Sequence, residues 1–389
     1  AAAAVPTQPA DGPSAMTTPA RPTQDDVLAC QFSSWYRSFR NIDKSAINNS
    51  TARKTRKNVT FESIVIKPLP HEFLEYLKSD GVRLPDCATK VSSCMNDNAT
   101  PDDDEWETDS DDETTSYSFP SLTAQIQTAL DSLNGDRDLG CMPKMNWSSP
   151  RDATWMNQGS LKCTKVGDVY LLLKSSEFVT FDVERAFDDL AEDDSITGGY
   201  PDCFSHELVL RKWCNLHPSM EFRCFVRGHD LVAISQRHPS KFYGHLQPPV
   251  DGSAHPCAEM ISSFFATYVR KRFADGRVSS YVLDVYLDSQ ERVWVVDFNV
   301  WGSRTDGLLF TWEELVNLGE GEVEREPELR VVTKDMKSSH LTYDPLSSFR
   351  GPTDAVNLMR GTSGTTDHDL GDIPTFQDFM KQCVRPSEM

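Results

Sequence analysis

At 389 residues the chain is too long for one small module, since domains commonly run to roughly 100–200 residues, and two lobes are expected. Its 39 Lys and Arg against 59 Asp and Glu leave a net charge of −20, which excludes a protein that coats nucleic acid by bulk attraction. Apolar runs reach only five residues, as in 169–173, against the roughly 20 that a membrane span needs, so no membrane partner is expected.

The opening residues are rich in Ala, Pro, Thr and Gln, with neither the basic nor the apolar region of a secretory leader. They predict a disordered segment over 1–27 and a cytoplasmic protein. Order is expected from about residue 28, where Phe32-Ser33-Ser34-Trp35-Tyr36 supplies the first aromatic cluster. A polar, basic stretch (Arg53, Lys54, Arg56, Lys57) leads to a strand at 63–67. Pro70 then opens a short helix carrying Phe73, Leu74 and Leu77, and Gly81 stops it.

Residues 97–113 hold ten Asp or Glu and no Lys or Arg, so half of the net charge sits in one segment, predicted to be a disordered insertion over about 95–117. Phe119, Leu122, Ile126, Leu130 and Leu133 recur at helical spacing up to Gly135. Residues 169–174 and 207–212 lack an amphipathic period and are dense in β-formers, which predicts two buried strands. Strands at 221–226 and 231–235 flank a glycine-containing turn, a helix is expected over 258–273, and a second hairpin pairs 281–287 with 293–299. From Gly319 apolar residues thin out: Gly361–Gly364 reads as flexible, and only Phe376 to Met380 has the character of a docking element.

Ten cysteines contain no Cys-x-x-Cys pair and no zinc spacing, which predicts reduced thiols. The Asn-x-Ser/Thr matches at 48, 58, 98 and 146 are expected to be chance matches in a cytoplasmic chain. No Walker A sequence, no Gly-x-Gly-x-x-Gly after a strand and no Gly-x-Ser-x-Gly elbow occurs, which disfavours P-loop, Rossmann and serine-hydrolase chemistry.

The second hairpin is the most informative segment. Strand alternation puts Asp297 and Asn299 on one face, and a four-residue loop would set Asp284 opposite Asp297. Leu283, Val285, Leu287, Trp294, Val296 and Phe298 would then face a core. Like charges at opposite positions need a compensating cation. Two Asp and one Asn are an oxygen set suited to Mg²⁺ with nucleotide phosphates; a pair neutralised by neighbouring Lys or Arg fits the pattern equally well. Arg211, Lys212, Arg223 and Arg237, on or beside the upstream strands, could clamp a polyphosphate or form an ordinary charged sheet face.

The wording of several segments goes further. Phe32–Tyr36, the run Pro143-Lys144-Met145-Asn146-Trp147-Ser148-Ser149-Pro150-Arg151-Asp152-Ala153, Leu171–Ser176, Leu208–Cys214, Glu221–Phe225, Ile234–Arg237, Asp297-Phe298-Asn299 and Leu309–Leu315 resemble, in order, the cell division cycle protein 123 family. The resemblance covers about residues 30 to 316. It implies an α+β, ATP-grasp-like fold in which two lobes with antiparallel sheets enclose a nucleotide cleft: an N-terminal lobe over 28–212, a C-terminal lobe with the metal site over 213–318, and a mostly irregular extension over 319–389.

It further implies an ATP-binding chaperone that joins the gamma subunit of eukaryotic translation initiation factor 2 to the alpha subunit, supporting translation initiation and cell-cycle progression. Such a protein would be monomeric and would bind ATP rather than turn it over. Carried over position by position, Lys144, Asn146, Trp147 and Ser149 would face the nucleotide, and Arg211, Lys212, Trp213 and Cys214 would lie beside the adenine. Glu221 would hold the ribose, Arg223 and Arg237 the phosphates, and Asp284, Asp297 and Asn299 Mg²⁺. The same site could serve an ATP-grasp ligase that joins a carboxylate to an amine through an acyl phosphate; a scaffold with a relic site is a third reading. Two departures from the family pattern stand out: Val300-Trp301-Gly302 where proline and an aromatic usually follow the Asp-Phe-Asn triplet, and Ser149 in place of alanine. Without proline's fixed φ, looser ligand geometry is expected behind Asn299.

Overall fold

The computed structural model describes residues 19–43, 56–88, 116–135, 139–191, 200–201, 204–249, 251–318, 326–334 and 336. The acidic run at 97–113, the glycines at 361–364 and the stretch 376–380 lie outside the described residues.

Two helices open the fold, α1 (Gln24–Cys30) and α2 (Phe32–Arg40). The first corrects the expectation of disorder up to residue 27. Thr23 and Asp26 form a reciprocal cap, with the Asp26 N–H donating to Thr23 Oγ1 at 3.2 Å and the Thr23 N–H to Asp26 Oδ2 at 2.9 Å. This lets one short turn bury Val27 and Cys30. Two-residue strands β1 (Ile42–Asp43) and β2 (Arg56–Lys57) pair with each other.

The remaining strands form two sheets. The first has β5 (Leu208–Lys212) at its centre, with β3 (Ser63–Ile66) and β4 (Cys141–Lys144) antiparallel on either side. Its apolar face is covered by α3 (His71–Lys78), α4 (Pro120–Asn134) and α5 (Val166–Lys174), with α6 (Glu177–Glu184) alongside. Here α5 corrects the strand expected at 169–174. Val166, Val169, Tyr170 and Leu173 do follow helical spacing, but Leu172 and Lys174 are buried too, so no polar stripe marks the period.

The second sheet has five strands, in the order 328–330, 230–236, 221–227, 281–287 and 293–300. Strands β6 (Glu221–Arg227) and β7 (Asp230–Gln236) are joined by Gly228-His229, both at positive φ, which is the two-residue turn that suits strand twist. The helix expected over 258–273 is α7 (Pro256–Phe264), continued as a π-turn over Phe265–Val269, and it stops where Lys271 takes a left-handed φ of 58°. Strands β8 (Tyr281–Leu287) and β9 (Val293–Val300) follow, then α8 (Trp312–Leu318) and the short β10 (Glu328–Arg330), parallel to β7. β10 is ordered structure within the extension expected to be mostly irregular.

The core of this sheet is aromatic. Phe298 of β9 stacks on Phe273 at 4.2 Å and meets Trp35 and Phe39 of α2, each at 5.2 Å. The N-terminal helices therefore cover the second sheet, although the chain reaches the first sheet before it.

Candidate functional site: a charged cleft between the sheets

Asp284 does face Asp297, but not through a four-residue loop. The connection is the five residues 288–292, closed by Asp288, whose carboxylate accepts the N–H groups of Gln290 and Arg292 at 2.9 Å. A bulge then shifts the register, so that Val285 pairs with Val295 while Asp284 pairs with Asp297. Val296 is the extra residue. Alternation reverses across it: Val293 and Val295 join Phe298 in the core, whereas Val296 lines the cleft and Trp294 stacks on Phe61, correcting the expectation that both face the core.

A cleft of about 640 Å³ opens between the sheets, with walls from β4 and β5 on one side and β6, β8 and β9 on the other. Of the residues expected there it gathers Trp147, Ser149, Arg211, Lys212, Trp213, Cys214, Glu221, Arg223, Arg237, Asp284, Asp297 and Asn299. Lys144 is buried behind this surface and reaches it through its ammonium group, which donates to Asp297 Oδ2 at 2.6 Å and to the Trp147 carbonyl. Asn146 is not brought to the cleft. It is buried away from it, donating to the Ser205 carbonyl at 3.2 Å and accepting the Glu207 N–H at 3.1 Å.

The aspartates are compensated by cations from within. Arg223 donates Nε and Nη2 to the two oxygens of Asp284, both at 2.8 Å, and its Nη1 to the Asp306 carbonyl at 2.8 Å. Burial would raise the Asp284 carboxyl, but Arg223, with Arg237 and Arg151, outweighs it and brings the carboxyl down to about 2. Asp297 is pushed the other way: burial raises it more than Lys144 and Arg211 lower it. Its Oδ1 is buried without a hydrogen-bond partner. Asn299 Nδ2 lies 3.5 Å from Asp284 Oδ2.

Arg237 is the least comfortable charge in the cleft. Burial first, then repulsion from Arg223 and Arg151, lowers its guanidinium to about 9, and Asp284 and Glu221 only partly offset this. Its Nε stands 3.6 Å from Asp284 Oδ2. Arg211 lies between the rings of Phe32 and Phe61, 5.6 and 5.2 Å from their centroids, with its Nε buried and unpartnered. Glu221 sits 3.4 Å from His238 Nε2; burial raises its carboxyl, and His238, Arg151 and Arg237 more than reverse that. Six Lys or Arg line the cleft against four Asp or Glu, so a chain of net charge −20 concentrates positive charge here.

Three contributors escaped the sequence reading. Arg151 lines the cleft at the start of a 3₁₀ turn; it stood in the quoted run two residues after Ser149, the one available signal. Asp182 of α6 fixes the Trp147–Ser148 loop, accepting their N–H groups at 3.0 and 2.7 Å and the Ser148 hydroxyl at 2.8 Å. Asp306 holds Arg223 through its backbone. No sequence signal marks the last two. Behind Asn299, where proline is missing, Thr305 closes the turn: its hydroxyl donates to the Val300 carbonyl at 2.7 Å and its N–H to the Gly302 carbonyl at 2.9 Å.

Of the oxygens offered by Asp284, Asp297 and Asn299, Asp297 Oδ1 is the unsatisfied acceptor that could take a hard cation, while both Asp284 oxygens accept from Arg223. Arg237, which lines the same cleft, fits an anion. A metal-bound polyphosphate answers both demands. Among the described residues the seven cysteines are free, and no helix is long and apolar enough to cross a membrane.

Residues 53–359 match the family model described as D123. A protein named "Translation initiation factor eIF2 assembly protein" from Xenopus laevis is 37% identical over 358 residues, covering 87% of this chain and 93% of its own. "Cell division cycle protein 123" from Yarrowia lipolytica is 34% identical over 357 residues, covering 90% of this chain and 84% of its own. The solved "Structure of Cdc123 from Schizosaccharomyces pombe" is similar in fold at a TM-score of 0.59 and 33% identity, over 80% of this chain and 98% of that one.

Proposed function

The chain belongs to the D123 family, and on that premise we propose that it is an ATP-binding assembly factor for eukaryotic translation initiation factor 2. The observation that carries the nucleotide part is the meeting of an unpartnered Asp297 oxygen and a destabilised Arg237 guanidinium on one cleft floor. Arg223 and Arg237 would hold phosphates, Lys212 and Cys214 would read the adenine edge through their backbones, and Glu221 would take the ribose. Asp284, Asp297 and Asn299 would hold Mg²⁺, which shields phosphate charge when bound.

The two sheets are the halves of an ATP-grasp arrangement in this reading, and the nucleotide is a pin between them. Arg211 and Lys144 lie on the first sheet and the aspartates on the second, so a ligand touching both fixes their relative position. The partner surface, formed only in that position, receives the gamma subunit and presents it to the alpha subunit. Binding without turnover suffices for such a role.

Immobilised gamma subunit is therefore expected to retain the full chain about tenfold more tightly with Mg-ATP than without it. Equal retention in both conditions would remove the nucleotide from the mechanism, and no retention in either would remove the partner.

A further inference from the structure

We propose that the C-terminal segment 328–332 is a clasp that positions the phosphate end of the cleft, with Gln236 as the positioning residue that transmits its hold. The proposal deepens the nucleotide-binding reading and rests on it for its ligand. Strand β10 joins the sheet edge beside Ala233–Ser235 of β7, immediately before the chain turns into the cleft at Arg237 and His238. Gln236, fully buried, stands at that junction.

Its carboxamide connects three backbones. Nε2 donates to the His238 and Lys241 carbonyls, both at 2.6 Å, which closes the 237–241 loop on itself. Oε1 accepts the Val332 N–H at 3.1 Å. The carbonyl of Val332 accepts Gln247 Nε2 at 3.0 Å, so both polar sides of one residue of the segment are held by glutamine amides.

The second arm of the clasp is Arg330. Its Nη1 donates to the Leu309 carbonyl at 3.0 Å and to Glu314 Oε2 at 3.0 Å, and its guanidinium stacks 4.0 Å from the Phe310 ring centroid. Leu309 continues the loop of Asp306 and Leu308, which line the cleft, and the Asp306 carbonyl accepts Arg223. Five residues that never enter the cleft thus tie together the loop carrying Arg237 and the loop supporting Arg223. These are the two guanidinium groups assigned to phosphate, and a buried amide network of this kind holds its geometry only when every member is paired.

Val332→Pro tests this in the full chain, because it deletes the N–H given to Gln236 and alters no cleft residue. Two readouts are needed. Hydrogen exchange, with no ligand present, should become faster at 237–241 in the variant while β3 and β5 keep their protection; unchanged exchange at 237–241 would overturn the clasp. Calorimetry should show Mg-ATP affinity about tenfold weaker, the effect of one buried hydrogen bond lost, and adenosine affinity unchanged, since adenosine has no phosphate to position. Equal weakening of both ligands would overturn the positioning role. If the wild type binds neither ligand while exchange at 237–241 still rises in the variant, the nucleotide reading falls and the structural clasp stands.

Discussion

Arg223→Ala is expected to lower stability by about 3 kcal/mol, because it leaves the Asp284 carboxylate buried without its bidentate partner. Arg237, 3.6 Å away, keeps the loss below the full cost of an unpaired buried charge. Urea titration of the two proteins gives the value. Replacing both partners, Arg223→Leu with Asp284→Leu, should recover most of it, since the cost lies in the orphaned charge more than in the missing attraction. That double variant would still fail to bind Mg-ATP, which separates the pair's part in the fold from its part in the site.

The pH dependence of the pair has a definite sign. The Asp284 carboxyl lies at about 2 in the folded chain against 3.8 for an ordinary one, so the unfolded state takes up its proton first. The stability it contributes is complete above pH 3.8 and is lost as the pH falls toward 2. The double variant should lack this part of the acid slope. A slope unchanged by its removal would mean that the carboxylate is not held by the guanidinium.

Phe298→Ala is expected to cost about 3–5 kcal/mol, the range for removing a large aromatic from a packed core. The ring touches Phe273, Trp35, Phe39 and Tyr281, which come from the turn before β8, from α2 and from β8 itself. Collapse around the cavity would have to move all of these. Phe298 also lies between Asp297 and Asn299, so its burial fixes the rotation of the strand that presents both. Thermal unfolding should show the loss. Phe298→Leu, which refills most of the volume, should restore much of the stability. An Ala variant as stable as the wild type would contradict the packing described.

The same hairpin shows how far the sequence could be read. Asp284, Asp297 and Asn299 were legible as one face because strands alternate, and the apolar neighbours on β8 fixed which way that face points. The bulge at Val296 was not legible. Nothing in Val293-Trp294-Val295-Val296 distinguishes a regular strand from one that reverses its alternation, and only the five-residue turn tied by Asp288 forces the extra residue. Helix α5 was misread because burial extends to Leu172 and Lys174 and its partly exposed face carries Leu171, so no polar stripe marks the period over 169–174.

Lys144, Trp213 and Cys214 were reached through the resemblance, not through spacing, whereas Arg211 and Lys212 were legible as cations at the end of a buried strand. Arg151, Asp182 and Gln236 were missed for a common reason: each acts through partners set by tertiary packing, and a single polar residue in a local window carries no sign of that. The same limit hid the placement of α1 and α2, whose aromatics suit any apolar sheet and turn out to cover the one formed later in the chain.

Mg-ATP bound in the cleft between the sheets would be held through Asp297 and its neighbours. Calorimetric titration of Mg-ATP into the full chain and into Asp297→Ala tests it most directly, with far-ultraviolet circular dichroism to show that both are folded. Saturable one-to-one binding by the wild type, weakened at least a hundredfold in the variant, is the predicted result, since the substitution removes a carboxylate from the metal's oxygen set and leaves Lys144 without its only anionic hydrogen-bond partner among the described residues. No binding by the folded wild type, or equal binding by both proteins, would contradict it.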